Sequence, residues 1–202
     1  MTSHSPDLSA RVLDRIDRVA AAQWDACLAG ESGHVENPFV SHAFLDALEQ
    51  SRSVGRGTGW LPQHLVIEDG AGNLAAAAPL YVKSHSQGEY VFDHAWADAY
   101  DRAGGRYYPK LQVAAPFSPV PGPRLLVLAG PFAEQARAAL IAALISAVEN
   151  SGMSSLHVTF APEADVAALE QVGFLRRAGL QYHWQNAGYG DFDQFLAALN
   201  SR

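Results

Sequence analysis

The stretch KSHSQGEYVFDHAWADAYDRAGGRYYPKLQVAAPFSPVPGPRLL, residues 83–126, decides how the chain is read. It carries aromatic side chains at Tyr90, Phe92, Trp96, Tyr100, Tyr107, Tyr108 and Phe117, and prolines at 109, 116, 119, 121 and 123. An apolar core does not request the polar side chains that lie between them, so the stretch reads as an insert that builds a site. From Arg102 to Ala133 there is no Asp or Glu, whereas Arg102, Arg106, Lys110 and Arg124 all fall inside, a local charge of +4. Cations concentrated beside rings and forced turns describe a cleft for an anionic ligand. The plainer reading is four solvated cations on a proline-rich loop.

Within the stretch, Asp93 stands at an N-cap position. The helix after it carries Ala95, Trp96, Ala99, Tyr100 and Ala103 on one stripe and ends at Gly104-Gly105. Lys110 to Ala115 is the next strand. The prolines around it are expected to interrupt its ladder and splay its backbone, leaving main-chain groups free.

Upstream, Arg11 to Ile16 alternates as a strand, and Trp24, Cys27 and Leu28 share one face of a helix closed by Gly30. Ser41 caps a helix whose Phe44, Leu45 and Leu48 face inward, and Gly55, Gly57 and Gly59 form a flexible connection. Gln63–Glu68 and Leu74–Lys83 are strands joined through Asp69-Gly70-Ala71-Gly72-Asn73, a hairpin signal, with Pro79 marking an edge or bulge. Downstream, 133–150 is the strongest helix, with Gly152 after it. Ser155 to Phe160 is a strand, and Pro162 opens a helix ending near Gly173. Leu180 to Asn186 alternates Leu180, Tyr182 and Trp184 against Gln181, His183 and Gln185, which predicts another strand. A last amphipathic helix starts at Asp191 or Phe192.

A chain of 202 residues, 49% hydrophobic and 17% charged, can bury one sizeable core. The net charge of -7 and pI near 5.5 speak against a surface that grips nucleic acid as a whole, so tRNA is a disfavoured partner. Cys27 is the only cysteine and sits on an apolar stripe, which excludes an intrachain disulfide and a thiolate cluster. His85, His94 and His183 show no metal-ligand spacing, so no metal is expected. No apolar run approaches the ~20 residues of a membrane span, and the expectation is a soluble, cytoplasmic protein.

The order of elements is similar to the GNAT acyltransferase fold, an α/β (α+β) mixed twisted sheet with helices on both faces. More specifically, three parts of the chain resemble the FemAB-like family of peptidoglycan biosynthesis or recognition proteins. They are EYVFDHAWADAYDRAGGRYYPKLQVAAPFSPVPGPRLL, the Leu-Gln-Tyr-His-Trp-Gln-Asn run and the closing Phe-Asp-Gln-Phe-Leu-Ala-Ala-Leu helix. The resemblance covers about residues 35–202 and implies a first GNAT-like half over 1–190. Residues 191–202 then begin a helix leading to a second half.

The resemblance further implies N-acyl transfer to an amine, with a cell-wall precursor as acceptor and acyl-CoA or aminoacyl-tRNA as donor substrate rather than a tightly bound cofactor. In GNAT enzymes the strand before the long helix splays and takes the pantetheine arm along its free backbone. That strand would be Lys110 to Ala115, with Val113, Ala115 and Gly122 as the donor-binding positions. Here Ser118–Pro123 supplies one glycine and three prolines, each proline removing an N–H. Acyl transfer also requires a base, a proton donor and an anion clamp. Asp93 and His94 are the candidate bases with Asp98 beside them, Tyr108 and Tyr107 the proton donors, and Trp96, Lys110, Gln112 and Arg124 the substrate-binding positions. The competing function is a non-catalytic half-domain that binds a cell-wall peptide or a partner domain, or that only supports a catalytic second half.

Overall fold

A computed structural model describes residues 7–30, 37–91 and 93–199, so Phe92 and the last three positions lie outside the described residues. Eight strands and six helices follow one another among them. They are β1 (Ser9–Leu13), α1 (Ala21–Ala29), α2 (His42–Gln50), β2 (Trp60–Pro62), β3 (His64–Glu68), β4 (Leu74–Ala78), β5 (Leu80–Lys83), α3 (His94–Arg102), β6 (Lys110–Val113), β7 (Leu126–Val127), α4 (Ala133–Ser151), β8 (Leu156–Val158), α5 (Glu163–Glu170) and α6 (Phe192–Ala198).

The strands form two four-stranded sheets, ordered β1-β3-β4-β7 and β2-β5-β6-β8. The chain passes between the two sheets five times, three of them without an intervening helix. Gln63 separates β2 from β3, Pro79 separates β4 from β5, and residues 114–125 separate β6 from β7. Pro79 has no N–H to give, so the ladder breaks there, and its carbonyl instead accepts from the Ala114 amide at 3.2 Å. The proline seen in sequence as an edge or bulge is therefore the seam between the sheets.

One face of this mixed assembly packs Leu65, Ile67, Leu80, Leu111 and Val113 against Leu140, Ile141 and Leu144 of α4 and Leu169 of α5. The opposite face of the first sheet packs Val66, Ala77 and Leu126 against Trp24, Cys27 and Leu28 of α1 and Leu45 of α2. Helices cover both faces, as expected. The caps follow the sequence: the Ser41 hydroxyl accepts from the Phe44 amide, and Gly152 takes the left-handed conformation that closes α4. No helix among the described residues is long and apolar enough to cross a membrane.

Three expectations fail. The Lys110 strand does not part from the Ser155 strand: β6 pairs with β8 in parallel, Leu111 opposite Leu156 and Val113 opposite Val158. Its prolines lie outside it, Pro109 before and Pro116 after, so all four of its residues keep their donors. The α3 stripe is not a core face. Only Ala97 is buried, while Trp96 and Tyr100 are 63% and 47% exposed. Residues 180–186 form no strand, and Leu180 and Tyr182 are 80% and 89% exposed, because alternation makes a strand only where a neighbouring edge completes its ladder.

Candidate functional site

Strand register places the site. Antiparallel pairing sets Trp60 opposite Lys83 and Lys83 opposite Lys110, while Tyr81 pairs with Gln112 and Gln112 with His157. Facing residues share a side of the sheet, so the second sheet presents a polar floor on the side away from α4. The insert after β5 then folds back over that floor, bringing Ser86, Glu89, Asp93, Tyr107 and Tyr108 onto it.

Lys110 Nζ donates to Asp93 Oδ2 at 2.7 Å, Glu89 Oε2 at 2.8 Å and Ser86 Oγ at 3.0 Å, which uses all three of its donors. Asp93 Oδ2 also accepts from the Tyr107 hydroxyl at 2.7 Å and the Ser86 hydroxyl at 2.9 Å. Ser86 Oγ meets the Tyr108 hydroxyl at 2.7 Å. Since the Ser86 proton is committed to Asp93, Tyr108 is the donor in that bond.

Lys83 is held differently. Its Nζ donates to the Gln87 carbonyl at 3.2 Å, lies 3.4 Å from the centre of the Trp60 ring and is 3.9 Å from Glu89 Oε1. Lys83, Lys110 and Asp93 are fully buried, Glu89 nearly so, and Tyr108 is half-buried at the outer end. Asp93 Oδ1, Glu89 Oε1 and Gln112 Oε1 are buried without a hydrogen-bond partner.

Protonation follows from these contacts. Burial alone would raise the Asp93 carboxyl, but hydrogen bonds from Lys110, Tyr107 and Ser86 outweigh it and hold the group at about 2. Burial raises Glu89, against the opposing pull of Lys110. Burial, with Lys110 as a like charge, brings Lys83 down to about 7. His157 falls to about 4, first through burial and then through Lys110.

Of the residues singled out in sequence, the fold brings Asp93, Tyr107, Tyr108 and Lys110 together. It does not bring His94, which is exposed on the outer side of α3. Asp93 precedes α3 but its carboxylate caps nothing. Trp96 is exposed with the Arg177 guanidinium 5.6 Å over its ring, and Gln112 is buried, donating to Thr159 Oγ1 at 3.0 Å. Ser86, Glu89 and Lys83 were missed. The available signal was that, among 14 cationic residues, only Lys83 and Lys110 are lysines.

The expected donor slot is closed. Beyond Val113 the chain leaves the sheet, and the Gly122 amide takes up the Phe160 carbonyl at 3.0 Å. Arg124, fully buried, fills the gap with its guanidinium: Nε donates to the Thr159 carbonyl at 2.9 Å, and the terminal nitrogens to the carbonyls of Gly122, Pro123 and Val120 at 2.9, 3.1 and 2.7 Å. Burial lowers this guanidinium to about 10, with Asp165 opposing. Arg124 is thus a clamp on its own loop rather than an anion site. Val113 is laddered on both sides, and Ala115 is buried against α1 and α2. At the start of α4, Pro131 lacks an N–H and Glu134 adds negative charge, so a pyrophosphate finds no cradle there. The basic rim expected from sequence reduces to Arg102 and Arg106, since Lys110 is neutralised and Arg124 enclosed.

Solved structures of similar shape are N-acetyltransferases. A ribosomal-protein-alanine N-acetyltransferase from Brucella melitensis biovar Abortus 2308 superposes with a TM-score of 0.50 at 16% identity, covering 88% of this chain and 98% of the other. The aminoglycoside N-acetyltransferase AAC(6')-Iy, solved in complex with CoA, gives 0.51 at 13% identity, with 92% and 99% covered. At such identity the likeness shows the fold alone, and the fold is of the GNAT acyltransferase type. The profile of the FemAB-like family, described as peptidoglycan biosynthesis/recognition, matches residues 15–202, and the chain belongs to that family. No curated protein matches the sequence.

Proposed function

We propose that this domain carries out N-acyl transfer, moving an acyl or aminoacyl group to the amine of a cell-wall precursor, at the outer end of the Lys110 cluster. The observation that carries the reading is the continuous hydrogen-bonded line from the half-buried Tyr108 hydroxyl through Ser86 to Asp93 and Lys110. Tyr108 donates its proton inward, so its oxygen lone pairs are free to receive an N–H from an incoming amine. The same hydroxyl can return a proton to a leaving group. Asp93, kept ionised by three donors, is a positioning residue that orients Ser86 and Tyr107, and Lys110 holds the two carboxylates in register. Trp96 and Arg102 on α3 and Arg106 just before Tyr107 are exposed and would steer a precursor.

Since the slot beside β6 is filled by Arg124, the donor does not lie along that strand, and acyl-CoA and aminoacyl-tRNA are separate arms of the test. A mass-spectrometric assay with each donor and an amine-bearing muropeptide is expected to give product with one of them. Tyr108→Phe is expected to lower kcat by ~100-fold without shifting Tm. No product with either donor, or an unchanged kcat in Tyr108→Phe, would refute the reading. The closed slot also favours a second one, a domain that binds the precursor without turning it over. Calorimetric binding of the muropeptide with no product would establish it.

A further inference from the structure

Lysine is ordinarily the most solvated of the side chains, and here both lysines of the chain are fully buried in one cluster while the other twelve cationic residues are arginines. The two side chains are not interchangeable in chemistry: a guanidinium keeps its proton under all working conditions, whereas a buried amine gives one up. The cluster also treats its two lysines unequally. Lys110 has three acceptors for its three donors, two of them carboxylate oxygens. Lys83 has one carbonyl, a ring face, and a carboxylate oxygen at 3.9 Å that itself lacks a hydrogen-bond partner.

We propose that Lys83 is the proton-exchanging residue of this site, storing the proton that a primary amine loses at Tyr108. This rests on the acyl-transfer reading above. The line is Tyr108 hydroxyl to Ser86 Oγ (2.7 Å), Ser86 Oγ to Asp93 Oδ2 (2.9 Å), Asp93 Oδ2 to Lys110 Nζ (2.7 Å), Lys110 Nζ to Glu89 Oε2 (2.8 Å) and Glu89 Oε1 to Lys83 Nζ (3.9 Å). One N–H bond of the attacking amine breaks and one forms on the neutral Lys83 amine. Lys110 gives a proton to Glu89 and turns about its Cε–Nζ bond to take the one that Asp93 receives from Ser86, Ser86 regains one from Tyr108 and Tyr108 from the amine, and a rotation of the Glu89 carboxyl carries its proton across the last gap. The charged and titratable groups facing Lys83 are Glu89 and Asp93 from the insert and Lys110 from β6, with Tyr107, Tyr108 and the β8 residue His157 beyond them. The fall of Lys83 to about 7 agrees with this role, since such an amine changes state near neutrality.

Because the chain has only two lysines, protein grown on lysine labelled with carbon-13 at Cε gives two signals, and Lys83→Arg identifies which is which. The expected result is a Lys83 signal titrating near neutrality. Glu89→Gln is expected to move the Lys83 midpoint downward, since the carboxylate favours the charged amine. In the donor assay, kcat/KM of the wild type is expected to fall as pH drops through the Lys83 midpoint. Lys83→Arg, which cannot take up a proton, should lose at least 10-fold in rate and that limb of the profile with it.

A Lys83 signal that titrates only above pH 10 overturns the proposal whatever the activity. A rate limb that persists in Lys83→Arg overturns the relay while leaving acyl transfer intact. A neutral titration without turnover from any donor refutes acyl transfer itself, and with it the amine as source of the proton.

Discussion

Replacing Lys110 by methionine removes an ammonium from a place with no access to water while keeping most of the side-chain volume. Three hydrogen bonds are lost, two of them to carboxylates. Asp93 retains Tyr107 and Ser86 as donors, but Glu89 Oε2 is left without any. Withdrawing one partner from a buried ion pair strands the other charge and costs about 3–5 kcal/mol. For a chain of this length each kcal/mol shifts Tm by roughly 2–4 °C, so Lys110→Met is expected to melt about 6–20 °C lower. Urea titration followed by tryptophan fluorescence measures the loss directly.

The control is the triple variant Lys110→Met, Asp93→Asn, Glu89→Gln, in which no charge is stranded. It is expected to regain about half of the loss or more, because the penalty belongs to unpaired buried charge rather than to missing attraction. A loss below about 1 kcal/mol in the single variant, or a triple variant no more stable than the single, would show that the cluster is not sealed from solvent as described.

Arg124→Met leaves four backbone carbonyls without their donor and is expected to cost about 3 kcal/mol, with faster proteolysis of the 116–123 loop; unchanged cleavage would contradict the clamp. Lys83 links stability to pH with a definite sign. Its ordinary value of 10.5 falls to about 7 on folding, so between those limits the unfolded chain holds the extra proton and stability rises with pH. Below about 7 the dependence on this group ends. Denaturation midpoints of the wild type relative to Lys83→Met, measured from pH 6 to 10, are expected to diverge upward across that window.

Local signals carried most of the architecture. The Asp69–Asn73 hairpin, the Ser41 cap, the α4 face and the burial of Trp24, Cys27 and Leu28 are all decided within a few residues, where periodicity and capping chemistry act. The 180–186 run shows the limit of the same reasoning, for alternation describes a strand only when an edge receives it. Around the site, sequence marked Asp93, Tyr107, Tyr108 and Lys110 because rings, prolines and charge crowd one stretch. It misplaced Arg124 and Gly122 because a guanidinium aimed at its own backbone reads the same as one aimed at a ligand.

What the sequence by itself determined is the set of elements, the family resemblance and the scarcity of lysine. The tertiary structure decided that both lysines share one buried floor with Glu89 and that the donor slot is filled by the chain's own arginine. The physical reason is that register across strands and the return of a 26-residue insert, 84–109, bring together groups far apart along the chain, and only at contact distance do burial and hydrogen bonding assign each proton.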